Sequence, residues 1–100
     1  MSQRFPYPAV YMLASRPFGV LYVGVTNDLP RRVFEHQQGV LAGFSREHGC
    51  GLLVWYEPHA MMIEAILREK RIKRWRRAWK FQLVEQMNPD WTNLALTLNQ

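Results

Sequence analysis

Val20-Leu21-Tyr22-Val23-Gly24-Val25-Thr26-Asn27-Asp28-Leu29-Pro30 is the stretch on which the fold turns. Its first seven residues are rich in β-branched and aromatic types, the composition of a strand. Asn27 then begins a helix start, with Asp28 placed to cap the first N–H groups and Pro30 allowed in the first turn. Upstream, Ala9-Val10-Tyr11-Met12-Leu13-Ala14 is an equally apolar run, and Ser15-Arg16-Pro17-Phe18-Gly19 separates the two with turn residues. Two such runs across a short turn predict an antiparallel hairpin. A period of two puts Tyr11 and Leu13 on one face of the first strand, and Val20, Tyr22 and Gly24 on one face of the second. Two tyrosines are thus expected to meet across the hairpin.

Working outward, the helix that starts at Asn27 to Pro30 should run to about Gln38. Its inward stripe is Leu29, Arg32, Val33 and His36, positions where apolar side chains belong and where two of the four are polar. Gly39 to Gly51 reads as a mobile surface loop around Ser45-Arg46-Glu47-His48, and Leu52 to Glu57 as a buried third strand closed by Pro58. From His59 the pattern turns helical through Met62, Ala65, Ile66, Glu69 and Ile72, with Glu69 standing where a hydrophobe is expected. A further helix from about Arg77 to Met87 should stop at Asn88-Pro89, because the residue before proline resists the α conformation. The tail holding Trp91 and Leu94 is expected to pack back. The order is strand, strand, helix, strand, helix, helix, in one domain over residues 1–100.

Composition narrows the function classes. With 100 residues, 48% of them hydrophobic and 21% charged, the chain has material for one core, too little for a two-domain enzyme and too much for a disordered segment. No apolar run approaches the length of a membrane span, and Met1 to Tyr7 lacks the order of a secretion signal, so we read the chain as cytoplasmic. Cys50 stands alone, which excludes an internal disulfide and the paired spacings of a structural zinc site. His48 beside it has no spacing rule that would make the two a nucleophile and base.

The net charge of +5 is unevenly placed. Arg68, Lys70, Arg71, Lys73, Arg74, Arg76, Arg77 and Lys80 fall in one short segment with a single acid, Glu69. Such a stripe attracts polyanions by releasing their counterions, and the interleaved Trp75 and Trp79 can stack on bases or simply pack. A small domain cannot bury an unpaired charge cheaply, so Arg32, His36 and Glu69 need partners or a pocket. Arg32 and Glu69 could form a buried ion pair. Alternatively, the two tyrosines, Arg32 and Glu69 could face one cleft, the set that a metal-assisted phosphodiester hydrolase uses. Glu64 is expected on another face, paired with Arg68 one turn on.

Val10-Tyr11-Met12, then Tyr22-Val23-Gly24, then Asn27-Asp28-Leu29-Pro30-Arg31-Arg32 with His36 closely resemble the GIY-YIG nuclease superfamily. The similarity is greatest to its small stand-alone bacterial members, which also share the pattern of Glu64-Ala65, Arg68-Glu69-Lys70-Arg71-Ile72-Lys73-Arg74-Trp75 and Asn88-Pro89-Asp90-Trp91. It covers a core of about residues 7–94. The resemblance implies an α+β fold, a three-stranded antiparallel sheet flanked by helices in the order β-β-α-β-α-α, and one divalent ion, Mg²⁺ or Mn²⁺, held by Glu69. It further implies Tyr22 as the activator of water, Tyr11 as its hydrogen-bonding support, and Arg32 and His36 at the scissile phosphate. Asn88 matches a late asparagine that braces the site, a role for which Asn93 competes. Two departures stand out: Val-Tyr-Met replaces Gly-Ile-Tyr around Tyr11, and Val25 replaces a lysine found in some repair-type members.

The leading expectation is a metal-dependent DNA endonuclease of low sequence specificity, selective for a branched, flapped or nicked structure or dependent on an unseen protein partner, in repair or processing. Arg31, Arg68, Lys70, Arg71, Lys73, Arg74 and Arg77 are its candidate DNA contacts. The competing expectations are a nucleic-acid-binding module with little or no turnover, and a protein-interaction domain.

Overall fold

The computed structural model describes residues 7–40 and 43–98. Strands β1 (Ala9–Ala14), β2 (Leu21–Thr26) and β3 (Leu52–Pro58) form one antiparallel sheet in the order β2-β1-β3. Helix α1 (Leu29–Gln37) follows β2, a single turn of helix α2 (Phe44–Glu47) precedes β3, and α3 (Met62–Lys73), α4 (Arg77–Met87) and a 3₁₀ turn (Leu94–Thr97) complete the chain. The α+β architecture expected from the sequence is therefore present. Among the described residues, no helix is long and apolar enough to cross a membrane.

The central strand explains the unbroken apolar run of β1. Both of its faces are covered, so all six residues are buried and no alternation with polar residues is needed. On one face Val10, Met12, Ala14, Val23 and Val54 pack against Ala65 and Ile72 of α3, Val84 of α4 and Trp91. On the other, Ala9, Tyr11, Leu13 and Leu53 pack against Leu29 and Val33 of α1, with the 3₁₀ turn beside them.

The hairpin turn closes through Gly19 N donating to Arg16 O at 2.9 Å, with Phe18 at φ 58°. Pro17 before it and the positive φ are the features of a type II turn, in which a non-glycine residue at this position is strained. The strain is held from outside: Arg77 Nη2 donates to Phe18 O at 2.9 Å and Gly19 O at 2.6 Å, and the Phe18 ring lies 4.7 Å from that of Trp91.

Strand β3 carries a bulge. Met12 pairs with Trp55 but Leu13 pairs with Leu53, leaving Val54 as the extra residue. Val54 and Trp55 consequently share the α3 side of the sheet. Backbone groups displaced by a bulge need other partners, and two asparagines supply them. Asn88 Nδ2 donates to Val54 O at 3.1 Å, and Asn93 Oδ1 accepts from Leu53 N at 3.3 Å.

The boundaries differ from expectation where local chemistry is ambiguous. The predicted surface loop contains α2, while residues 41 and 42 lie outside the described residues. Helix α3 begins at Met62 rather than His59, because His59 Nε2 is 2.8 Å from Glu57 Oε1 and its N–H donates to Pro8 O, both across the sheet end. Arg68 does not pair with Glu64; its Nε donates to Glu57 Oε1 at 3.0 Å, since the i, i+4 partner is the more solvated of the two acids.

Candidate active site

Register places Tyr11 opposite Gly24 and Leu13 opposite Tyr22, so both tyrosines point to the α1 face as the period of two required. The Tyr11 ring lies directly over residue 24: a Cβ there would sit 2.4 Å from Tyr11 Cζ and 2.5 Å from its hydroxyl. Only glycine leaves that space. The Tyr11 hydroxyl is then 3.0 Å from His36 Nε2 and hydrogen-bonded to Tyr22. Ring centroids of the three side chains lie 6.2 Å (Tyr11 to Tyr22), 5.8 Å (Tyr11 to His36) and 5.1 Å (Tyr22 to His36) apart.

Helix α1 delivers two members of the site because its start is fixed. Thr26 Oγ1 accepts from Asp28 N at 3.0 Å, and Asp28 Oδ1 accepts from Arg31 N at 3.3 Å as the N-cap. With Leu29 and Val33 anchored in the core, the next turn brings His36 onto the tyrosines and leaves Arg32 half-buried at the margin. Of the two alternatives for Arg32 and Glu69, the ion pair between them is not formed. Arg32 Nε lies 3.4 Å from Glu35 Oε1 on its own helix, and Glu69 Oε2 lies 3.1 Å from Lys73 Nζ on α3. Arg32 and Glu69 nonetheless both act electrostatically on the Tyr11 hydroxyl.

These neighbours set the protonation states. Burial, then the nearby Tyr22, push the Tyr11 phenol well above its ordinary value of 10.0, and the opposing pull of Arg32 is too weak to reverse this. Tyr11 is therefore a fixed proton donor across the physiological range. Burial and the adjacent Arg32 lower the pKa of His36, so its imidazole is neutral at pH 7 and one ring nitrogen stays an acceptor.

The donors suit a hard ion with a largely aqueous shell. Among the described residues, no three His, Cys, Asp or Glu side chains cluster to hold a metal. A single carboxylate, Glu69, at a water-reachable margin fits Mg²⁺ or Mn²⁺, ions that keep several waters and need only one or two protein oxygens beside substrate phosphate. Next to Arg32, Thr26, Asn27, Asp28, Arg31 and Glu35 line an open cleft of about 470 Å³. Of these, only Arg31 and Arg32 are candidate site residues from the sequence; Thr26 reads there as the strand end, Asn27 and Asp28 as the helix start, and Glu35 carries no signal.

Asn88 is placed differently. It is buried, and besides Val54 O its Nδ2 donates to Thr92 O at 2.9 Å while its Oδ1 accepts from Thr92 N at 3.0 Å. It ties α4 and the tail to the bulge of β3, on the opposite face of the sheet from the tyrosines.

Residues 7–82 match the GIY-YIG catalytic domain family. The chain belongs to the GIY-YIG family. Its kind of chemistry is accordingly that of a nuclease, with DNA as the substrate. The chain is also 38% identical over 69 residues to a UPF0213 protein of Bacillus pumilus, covering 69% of this chain and 70% of that protein. It is 40% identical over 68 residues to a UPF0213 protein of Cronobacter sakazakii (68% and 72%), and 33% identical over 84 residues to one of Serratia proteamaculans (84% and 81%). No solved structure matches it.

The GIY-YIG core supports a basic surface on α3 and α4, and the predicted contact residues there divide into two groups. Arg68 is held by Glu57 and lies over Trp75 at 5.3 Å; Arg77 is held by the hairpin turn and lies over Phe81 at 4.6 Å. Lys73 is likewise held, by Glu69, whereas Lys70, Arg71 and Arg74 are exposed and form no ion pair among the described residues. Cys50 is buried with its thiol pKa raised by burial, and its Sγ is 3.6 Å from Val20 O. It is a packing residue.

Proposed function

We propose that this protein is a divalent-metal-dependent endonuclease that hydrolyses DNA phosphodiester bonds, structure-selective rather than sequence-specific, acting in cytoplasmic DNA repair or processing. The observation that supports this reading is the hydrogen-bonded cluster of Tyr11, Tyr22 and His36, with the charges of Arg32 and Glu69 near enough to be felt at the Tyr11 phenol. Tyr11, Tyr22, Arg32, His36 and Glu69 are its catalytic group, and Asn88 acts at a distance by fixing the sheet on which the group stands.

Neutral His36 donates from Nε2 to the Tyr11 oxygen, and Tyr11 donates onward to the Tyr22 oxygen. Tyr22, the half-buried phenol nearer to solvent, receives that hydrogen bond and is the one that orients and activates the attacking water. Arg32, half-exposed and tethered only by Glu35, neutralises the non-bridging oxygens of the scissile phosphate as charge develops there. Glu69 would hold the Mg²⁺ or Mn²⁺, which when bound supplies positive charge at the phosphate and lowers the pKa of water. Lys70, Arg71 and Arg74, with Arg31 at the cleft, track the DNA backbone.

Relaxation of supercoiled plasmid in Mg²⁺ or Mn²⁺ by the wild type and by Glu69→Ala tests the proposal. Activity in the first and none in the second is expected; equal activity in both means a contaminating nuclease. A second reading, a DNA-binding module with little or no turnover, is favoured by the Lys73–Glu69 pair, which competes with any cation for the carboxylate. Under that reading the wild type binds DNA in a salt-sensitive manner yet leaves plasmid intact in every metal, and branched, flapped and nicked substrates remain uncut.

A further inference from the structure

Helix α4 presents an aromatic groove that the cleavage site does not use. Trp75, Trp79, Gln82, Leu83 and Gln86 line an open hollow of about 270 Å³. Trp79, Gln82, Leu83 and Gln86 follow spacings of three, four and seven, so they share one face of the helix. Trp79 is 47% exposed, so part of its ring is open to a molecule in solution. It meets Trp75 edge to face, with centroids 6.2 Å apart and planes at 80°. Arg76 lies over the Trp79 ring at 4.8 Å, and Arg68, the residue before Glu69, lies over Trp75 at 5.3 Å.

We infer that this groove is a binding site for an unpaired nucleobase, with Trp79 as the stacking platform and Gln82 and Gln86 as hydrogen-bonding groups at the base edge. The inference rests on DNA being the substrate and specifies which part of it is held here. Three features select a base over a purely apolar occupant. The walls are tryptophan and amide, which match a flat heterocycle with donors and acceptors along its rim. Arg71, Arg74 and Arg76 stand within one turn of the two tryptophans and supply the charge that a sugar-phosphate chain requires, whereas no acid occurs between Lys70 and Val84. Arg68 lies over Trp75 and directly precedes Glu69 on α3, so the groove adjoins the helical turn that carries Glu69. A duplex presents no free base face, so the groove distinguishes DNA with a frayed, flapped or gapped segment from intact duplex.

The test is a titration of the full chain with a short oligothymidylate and, separately, with a blunt duplex of equal length, read by tryptophan fluorescence and by anisotropy of labelled DNA. Wild type is expected to be quenched by the single strand. Trp79→Ala should weaken single-strand binding by about tenfold to a hundredfold, the range of one lost base stack, and leave duplex binding within about twofold. Trp79→Phe should recover most of the loss. An unchanged single-strand affinity in Trp79→Ala, or an equal fall for strand and duplex, overturns the site and leaves the groove to a protein partner. Should Trp79→Ala melt below the assay temperature, the doubly substituted Gln82→Ala, Gln86→Ala protein is judged by the same two titrations. Single-strand binding unaffected by Trp79→Ala while plasmid cleavage still depends on Glu69 removes the base site alone. Strand binding that depends on Trp79 with cleavage indifferent to Glu69 retains the base site and removes the nuclease reading.

Discussion

The six residues of the central strand divide, three and three, between two faces that do opposite work. Toward α3 and α4, Val10, Met12 and Ala14 pack in a cluster of aliphatic and aromatic side chains. Toward α1, Ala9, Tyr11 and Leu13 meet an equally closed core except at Tyr11, whose hydroxyl opens a polar seam with Tyr22 and His36 that feels the charges of Arg32 and Glu69. The first face supplies stability by area removed from water. The second gives up part of that gain to hold polar groups in fixed protonation states, and its tolerance of change should be correspondingly lower for activity than for folding.

The sharpest way to break the contrast is Ile72→Ala on the apolar face. Ile72 is fully buried, and truncation there should remove about 2–5 kcal/mol, a large fraction of a small domain's total. Denaturant midpoints should fall with unchanged slope, while the specific activity of the folded fraction stays near wild type. Asn88→Ala should cost about 2–4 kcal/mol, because it orphans the Val54 carbonyl at the bulge together with Thr92 N. If it instead lowered cleavage with no change in the melting midpoint, the brace would belong to the site and not to the sheet.

Gly24→Ala tests the other face. The new methyl group would overlap the Tyr11 ring and must displace it, at about 1–3 kcal/mol. Cleavage should fall far more than this destabilisation accounts for, by at least about tenfold, as measured by initial rates at a temperature where the variant is folded. Equal losses in both assays would mean that the ring's position is a matter of packing alone.

Most of this contrast was legible in the residues. Alternating faces put Tyr11, Tyr22 and Gly24 together, and the polar entries Arg32, His36 and Glu69 stood out because a 3.6-residue period assigned them to positions where hydrophobes belong. What stayed hidden depends on partners distant in sequence. The bulge at Val54 has no local signature in Leu-Leu-Val-Trp-Tyr-Glu, since every residue there suits a strand, and the roles of Asn88 and Asn93 follow only once the bulge is known. In the same way, eight basic residues in a row of thirteen read as one surface, although Arg68 and Arg77 are committed to Glu57 and to the carbonyls of Phe18 and Gly19.

The smallest expected effect separates the faces by pH. His36 is held neutral by burial and by Arg32, opposed by Glu35, with the two phenols against its ring. Its folded pKa lies below the ordinary 6.5, so the unfolded chain binds the extra proton first as pH falls. The stability that His36 contributes is thus complete above about pH 6.5 and is lost progressively as pH falls toward and through the folded value. A His36→Gln protein should show a flatter dependence of melting temperature on pH between about 7 and 5 than the wild type. Ile72→Ala, although far less stable, should keep the wild-type slope, because it removes no titrating group. Parallel slopes in wild type and His36→Gln would mean that the imidazole is solvated in the folded chain, and the neutral donor to Tyr11 on which the proton arrangement depends would be lost with it.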